Sequence, residues 1–237
     1  MMLTLSHVRQ ETLTATTFIF TSDSPISYRA GQHVSIRLPH ENPDSRGTIR
    51  SFSLSSSSTE KVLAVTTNEG ESSFKKKLFS LSAGDTIEAR GPGGGFIFRE
   101  EDPGHHIMIA GGIGITPFRS MLTYVSDKQL SMPITVLYSN RTPEEIVFKD
   151  YLAELSTKVI HTITRPQDSP TVWSGRTGRI DEALVREIST GPDSVGAGGD
   201  RYYVCGSLPF VESMVTLLGT MGIASDRIHF EKFTGYS

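Results

Sequence analysis

The stretch 50-RSFSLSSSS-58 admits two opposite readings. Six of its nine residues are serine, the composition of a flexible linker between domains. Yet Arg50, Phe52 and Leu54 alternate with Ser51, Ser53 and Ser55, which is the period of a β-strand. The sequence on either side bears on the choice.

Up to about residue 103 the chain reads as short strands joined by turns. Strands are expected at 14-TATTFIFTS-22, 31-GQHVSIRLP-39, 49-IRSFSLS-55, 61-KVLAVTTN-68 and 85-DTIEARG-91, with a helix near 72-SSFKKKLFSL-81. Short strands at close spacing imply a small antiparallel barrel or sandwich. After 103-PG-104 strands and helices alternate. Strands are expected at 105-HHIMIAGG-112, 133-PITVLYSN-140, 158-KVIHTITR-165, 201-RYYVCGS-207 and 227-RIHFEKF-233. Helices fall near 117–127, 143–155, 179–189 and 208–219, and the connections 166–178 and 190–200 read as surface loops. That alternation predicts an α/β unit with a doubly wound parallel sheet. The expected division is therefore 1–103 and 104–237, which puts the serine run well inside the first domain. That position counts against the linker reading.

Composition narrows the function. Hydrophobic residues make up 37% and charged residues 21% of 237 positions, enough to build a core and too few charges for a disordered chain. The net charge of −3 comes without a long basic block, which argues against a nucleic-acid binder. No apolar run reaches the length of a membrane span, and Met1–Gln10 lacks a signal-peptide plan. Cys205 is the single cysteine, so neither an intrachain disulfide nor a four-cysteine iron–sulphur cluster can form. Cytoplasm is the expected location.

Several segments carry ligand chemistry. In 110-AGGIGITPFRSM-121 an apolar strand ends in glycines and a helix opens at Pro117. Such a bend lets a phosphate approach free backbone N–H groups at a helix start, although it also serves as a plain tight connection. It is not the common GxGxxG fingerprint, since Pro117 stands where the third glycine would be. Thr142 and Glu145 have the spacing of a capping box around Pro143. The strand end before them offers Ser139, Asn140 and Arg141 with no acid, and Arg165 closes the next strand. Arginine suits a ribose 2′-phosphate where an acid would suit the 2′-hydroxyl, so the expectation leans to NADP(H) over NAD(H). In 203-YVCGSLPFVESM-214, Cys205 and Gly206 would close a parallel strand, where ligands bind in open α/β sheets; a buried passive thiol is the plainer alternative. Ser72 and Ser73 begin a helix and could cradle an anion or act as caps alone. The turn 91-GPGGGF-96 lets a backbone approach something flat.

Taken in order, 31-GQ-32, 50-RSFS-53, 70-GESS-73, 91-GPGGGF-96, 111-GGIGITPF-118, 205-CG-206 and 230-FEKF-233 resemble the ferredoxin–NADP reductase superfamily along almost the entire chain. The resemblance implies an FAD-binding barrel followed by a nicotinamide-nucleotide domain, without an iron–sulphur domain. It implies that Arg50 pairs with the FAD pyrophosphate, that Phe52 packs along the flavin, and that Ser53 lies near the atom that receives hydride. Ser51, Val65, Thr67, Ser72 and Ser73 complete the implied FAD set, and Ser55–Ser58 exceed what such a site needs. Gly111, Gly112, Gly114, Thr116, Asn140, Arg141, Arg165 and Gly206 would line the path of the nucleotide. Cys205 and Glu231 would stand beside the nicotinamide as catalytic residues with Ser53, and Phe233, with Tyr236 in reserve, would cover the flavin ring.

The implied activity is hydride transfer from NAD(P)H to bound FAD. Electrons would then pass singly to a separate carrier such as a ferredoxin, a flavodoxin or an oxygenase component. Lys75, Lys76 and Lys77 could attract an acidic carrier or form a solvated helix face. Two alternatives remain at this stage: a reductase of free flavin or ferric complexes, and a non-catalytic flavin relay subunit of a larger complex.

Overall fold

The computed structural model describes residues 1–102, 104–189 and 199–233. Pro103, where the sequence places the domain boundary, lies outside them, as do most of the loop expected over 190–200 and Tyr236. The backbone separates into two compact units. One comprises Met1–Phe98 with Thr116–Gln129, and the other comprises Arg99–Ile115 with the chain from Leu130 on.

The first unit contains β1 (Met2–Gln10), β2 (Ala15–Ser22), β3 (His33–Arg37), β4 (Ile49–Ser53), β5 (Leu63–Asn68), helix α1 (Ser73–Phe79) and β6 (Thr86–Gly93). The strands form an antiparallel sheet in the order β4-β3-β6-β1-β2-β5. Its two edges meet: Leu54 bridges Val65, and the Ser55 N–H donates to the Ala64 carbonyl at 2.8 Å. The sheet thereby closes into a barrel, which removes the exposed edge a short strand would otherwise leave. Alternate residues fill the interior, among them Leu3, Leu5, Phe18, Phe20, Val34, Ile36, Leu54 and Val65, with Phe74 and Leu78 of α1 packed against them. Strand β1 was not foreseen. Its inward alternation covers only Leu3 and Leu5 before a register shift between Leu5 and His7 turns the rest to solvent, and two residues make a faint periodic signal.

The second unit contains β7 (His106–Gly111), β8 (Ile134–Asn140), helix α3 (Lys149–Glu154), β9 (Lys158–Ile163), β10 (Arg176–Thr177), helix α4 (Glu182–Ile188), β11 (Arg201–Ser207), helix α5 (Leu208–Thr220) and β12 (Ile228–Phe233). All its strand pairs are parallel, in the order β10-β9-β8-β7-β11-β12. The order reverses between β7 and β11, the point where open α/β sheets bind ligands at their carboxyl edge. Ile107, Ile109, Leu137 and Val204 bury their side chains against α4 and α5. Helix α2 (Thr116–Asp127) follows β7 through a single 3-10 turn, Gly112–Ile115, and packs with the barrel residues of the first unit.

One expected helix is divided. Over 143–155 the chain forms a 3-10 turn at Pro143–Glu145, then Phe148 at φ 60°, then α3. Ile146, Val147 and Phe148 are all buried, and three consecutive inward side chains cannot share one stripe of a helix. The Val147 N–H leaves the helical pattern to donate to the Tyr138 hydroxyl at 3.2 Å. The capping box is also not made: Thr142 caps nothing with its side chain, and the Glu145 carboxylate turns to Arg141 instead. Among the described residues no helix is long and apolar enough to cross a membrane.

Candidate functional site

In the first unit four sequence motifs lie together. Strand β4 carries Arg50, Phe52 and Ser53 and pairs with β3, placing His33 opposite Ser53 and Val34 opposite Phe52. Strand β3 continues to β6, where Gly91–Gly95 begins its turn; Gln32 Nε2 donates to the Gly94 carbonyl at 3.4 Å, and the Gln32 carbonyl accepts from the Leu54 N–H at 2.9 Å. Gly31 sits at φ +98°, and a Cβ there would fall 2.4 Å from the Phe96 carbonyl oxygen. Only glycine allows that approach.

Helix α1 closes the group. The Phe52 and Phe74 rings stack at 5.9 Å with 29° between their planes. The Arg50 guanidinium lies 5.1 Å from the Phe74 ring centre, and the Lys75 ammonium lies 5.8 Å from that of Phe52. Two aromatic rings are thus flanked by two cations, a favourable arrangement for each ring face. Ser72 caps α1 by accepting from the Lys75 N–H at 3.3 Å, and the Ser73 hydroxyl lies 3.0 Å from His40 Nε2.

Arg50 is held in place by the loop before it. One terminal nitrogen donates to the carbonyls of Arg46, Gly47 and Ile49 at 2.8–3.0 Å, while the other meets Asp44 at 2.5 Å. The Arg50 side chain bonded to Asp44 holds that carboxyl below its ordinary pKa. Ser51 points away from this group, exposed and 2.9 Å from the Ser35 hydroxyl. Val65 is a core residue, whereas buried Thr67 accepts from the Lys75 ammonium.

The remaining serines have a different task. Ser55, Ser56 and Ser57 are buried. The Ser55 hydroxyl accepts from Thr66 at 2.8 Å, that of Ser56 accepts from the Ala64 N–H at 2.9 Å, and the Ser57 carbonyl accepts from Tyr28 at 2.6 Å. The Ser55 and Ser56 carbonyls accept from Arg119 and Ser120 of α2 at 2.9 and 2.6 Å. Their small hydroxyls satisfy backbone and side-chain groups where the barrel closes, a structural role the sequence alone left unexplained.

In the second unit the turn after β7 is pressed against the turn after β11. A Cβ on Gly114 would fall 2.2 Å from the Cys205 carbonyl oxygen, and one on Gly111 or Gly206 would meet the Phe210 ring at 2.7 Å. Three of the motif glycines are therefore explained by packing. Gly112 is different: its φ is +52° and a Cβ would meet nothing within 4 Å, so its face is open to a ligand. Thr116 is buried at the first position of α2.

Cys205 pairs in register with Glu231, and Ser207 with Phe233. Cys205 is fully buried, and its thiol is pushed well above its usual pKa first by desolvation and then by the Glu231 carboxylate. It is a neutral thiol at physiological pH, not an activated nucleophile. Asn140 closes β8 with its side-chain amide buried beside the Tyr138 hydroxyl, its hydrogen-bonding neighbour. Arg141 is engaged by Glu145 at 2.7 Å, and Arg165 is exposed on the neighbouring strand end, its N–H bonded to the Arg141 carbonyl at 2.8 Å.

Comparison with known proteins agrees with this geometry. Residues 108–216 match the family model of the oxidoreductase NAD-binding domain. Ferredoxin–NADP reductase B of Sorangium cellulosum is 30% identical over 217 residues, covering 87% of this chain and 85% of that protein. The chain belongs to the ferredoxin–NADP reductase superfamily. Its members include FAD- and nicotinamide-dependent reductases, and the two units described above are the family's barrel and parallel sheet. The glycine betaine monooxygenase reductase subunit of Chromohalobacter salexigens is 25% identical over 95% of this chain and 62% of its own length. A ferredoxin–NADP⁺ reductase from Neisseria gonorrhoeae, solved with bound FAD and NADP, has the same fold with a TM-score of 0.80, 21% identity and 98% coverage of both chains. The chain spans between a quarter and about half the length of other curated relatives.

The donor set of this superfamily member fits a flavin dinucleotide. Its first unit groups a guanidinium, an ammonium, two hydroxyls and an aromatic pair, which match pyrophosphate oxygens and a flat ring respectively. Lys75 is the residue whose placement sequence reasoning missed. It shares a helix face with half-buried Phe79 four positions on, and that spacing was the available signal. Lys76 and Lys77 are both exposed, and Lys76 pairs with Glu71 at 2.9 Å.

Proposed function

We propose that this chain is an NAD(P)H-dependent FAD reductase that passes electrons to a separate carrier protein. The observation that carries the reading is the convergence of 50-RSFS-53 with 72-SSFK-75, joined through the Phe52–Phe74 stack and the two flanking cations. Bound FAD supplies the change from two-electron to one-electron chemistry.

The chain's own residues bind and orient. Arg50 would exchange part of its bonding to Asp44 for the pyrophosphate, with Ser72 and Ser73 beside it. Phe52 offers a ring face, and buried Ser53 a small hydroxyl, to the flavin. In the second unit the open face of Gly112 and the amide of Asn140 would take the nucleotide. Cys205 would pack as a neutral thiol and Glu231 would place its charge near the nicotinamide. Orientation of two flat rings is the main catalytic contribution, since it converts a bimolecular step into a nearly unimolecular one. NADPH is the favoured coenzyme because Arg141 and Arg165 stand at adjacent strand ends. A ferredoxin, flavodoxin or oxygenase component is the proposed acceptor, in keeping with what the Sorangium and Chromohalobacter relatives are named for.

The test is an anaerobic visible spectrum of the purified protein during additions of NADPH and, separately, NADH. Bound FAD that bleaches with nucleotide is expected, NADPH being the more effective. Colourless protein that becomes active only with added free flavin would replace this reading with a free-flavin reductase. A yellow protein that neither nucleotide bleaches would make it a relay.

A further inference from the structure

Lys75 is placed unlike its two lysine neighbours. It leaves α1 toward the barrel rather than toward solvent, donating from its ammonium to the Thr67 hydroxyl and to the Asn68 carbonyl at 2.6 Å. Both acceptors are neutral oxygens of β5, and the ammonium stands 5.8 Å from the Phe52 ring centre on the strand that carries Arg50. Burial desolvates this ammonium, and a desolvated charge is stabilised by an anion brought close to it.

We propose that Lys75 is a cofactor-positioning residue whose ammonium neutralises negative charge on the bound flavin nucleotide. This rests on the reading of the first unit as an FAD site. The negative charge has two sources, the pyrophosphate and the reduced isoalloxazine ring, and both are anions that a fixed cation at this position would hold.

The same burial gives the site a pH signature. Desolvation first, and the positive charge of Arg46 second, depress the Lys75 pKa to about 8. The other charged or titratable groups around it are Arg50 with Asp44 on the preceding loop, His40 on Ser73, and Glu71 paired with Lys76. Lys75 is mostly charged at neutral pH and loses its proton as pH rises through about 8. Binding of an anion draws on the charged form, so flavin affinity falls above that pH.

The experiment titrates the full-length, flavin-free protein with FAD at pH 7.0 and 9.5, comparing wild type, Lys75→Met and Lys75→Arg, with melting temperature of the flavin-free form as a fold control. Wild type should bind more weakly at the higher pH. Lys75→Met should bind about tenfold to a hundredfold more weakly at pH 7.0, the range of one hydrogen bond to a charged group, and lose the pH dependence. Lys75→Arg should retain most of the affinity and show no decline at pH 9.5, which keeps the test decisive if the methionine variant does not fold. The midpoint potential of the bound flavin separates the two sources: a shift to more negative values in Lys75→Met places the charge on the reduced ring, and an unchanged potential with lost affinity places it on the pyrophosphate. Equal affinity and the same pH trend in wild type and Lys75→Met, with unchanged potential, would overturn the inference alone. Wild-type protein that binds no flavin at either pH would overturn the proposed function, and the inference with it.

Discussion

Arg119 and Glu60 form a two-pronged ion pair, with Nη2 donating to Oε1 at 3.0 Å and Nη1 to the other oxygen, while Nη1 also reaches the Ser55 carbonyl at 2.9 Å. Both side chains are largely covered, 14% and 28% exposed. The pair therefore fastens helix α2 to the serine run at the barrel seam, and Ser120 adds a second tie to Ser56.

Removing one partner leaves the other charge poorly solvated, which costs more than the pair itself contributes. Arg119→Met should destabilise the first unit by about 2–3 kcal/mol in urea unfolding, and the double change Arg119→Met, Glu60→Gln should recover part of the loss. Additive losses in that cycle would show that the pair makes no coupled contribution.

The glycines of the turn after β7 should divide by cause. Gly114→Ala drives a Cβ into the Cys205 carbonyl at 2.2 Å, so unfolding stability should fall by about 2–3 kcal/mol or more. Gly112→Ala meets no atom and carries only the strain of φ +52°, about 1–2 kcal/mol. Its larger effect should be on nucleotide affinity, because its face is the open one. Calorimetric melting alongside nucleotide titration separates the two, and equal stability losses would refute the distinction.

What the sequence disclosed and what it withheld follow the same physical line. Period-2 and strand–helix alternation placed ten of the twelve described strands because those signals are local; β10 escaped because it is two residues long, and β1 because its alternation covers two side chains before a bulge. The helix expected over 143–155 divides because Ile146, Val147 and Phe148 must all be buried, a tertiary demand that a propensity and a cap spacing do not contain. Motif order identified Arg50, Phe52 and Ser72 as one group, and the Phe52–Phe74 contact brings them together. The inward turn of Lys75 and the structural use of Ser55–Ser57 depend on which oxygens the barrel leaves to be satisfied. No window of sequence holds that information.

Acid should destabilise the second unit through its histidines. His105, His106, His161 and His229 all have pKa values lowered first by burial, with Asp200 and Asp102 only partly compensating for His105 and for His106 and His229. The unfolded chain binds protons near pH 6.5 while these folded sites stay neutral. Their contribution is thus fully present above pH 6.5 and is lost as pH falls through the lower folded values, at up to about 1.4 kcal/mol per pH unit for each group. Melting temperature should decline between pH 7 and pH 5, and His106→Phe, which keeps a ring beside Tyr203, should flatten the slope.

Cys205 should be silent to thiol reagents in the native protein. It is fully buried and its pKa is raised well above the ordinary thiol range by desolvation and by Glu231, so neither access nor thiolate is available. Ellman's reagent at pH 8 should label it only in denaturant. Cys205→Ser should slow reduction by nucleotide without adding or removing an inflection between pH 6 and 9; a lost inflection would assign the thiol an ionised role.

Coenzyme choice turns on how firmly Glu145 holds Arg141. The carboxylate meets the guanidinium at 2.7 Å and takes a second bond from Nε at 3.1 Å, and the bond to Glu145 is the main cause of the raised Arg141 pKa. The Arg141 side chain is 66% exposed, so the pair is screened and contributes at most about 1 kcal/mol. A 2′-phosphate carries more charge than the carboxylate and should displace it. Arg165→Ala should weaken NADPH about tenfold and leave NADH unchanged, the size of one charge-assisted phosphate contact. Glu145→Gln should instead strengthen NADPH a few-fold by releasing Arg141. Steady-state KM values for both coenzymes across wild type and these variants read this directly, and NADPH affinity that survives both Arg141→Ala and Arg165→Ala would remove the case for NADPH altogether.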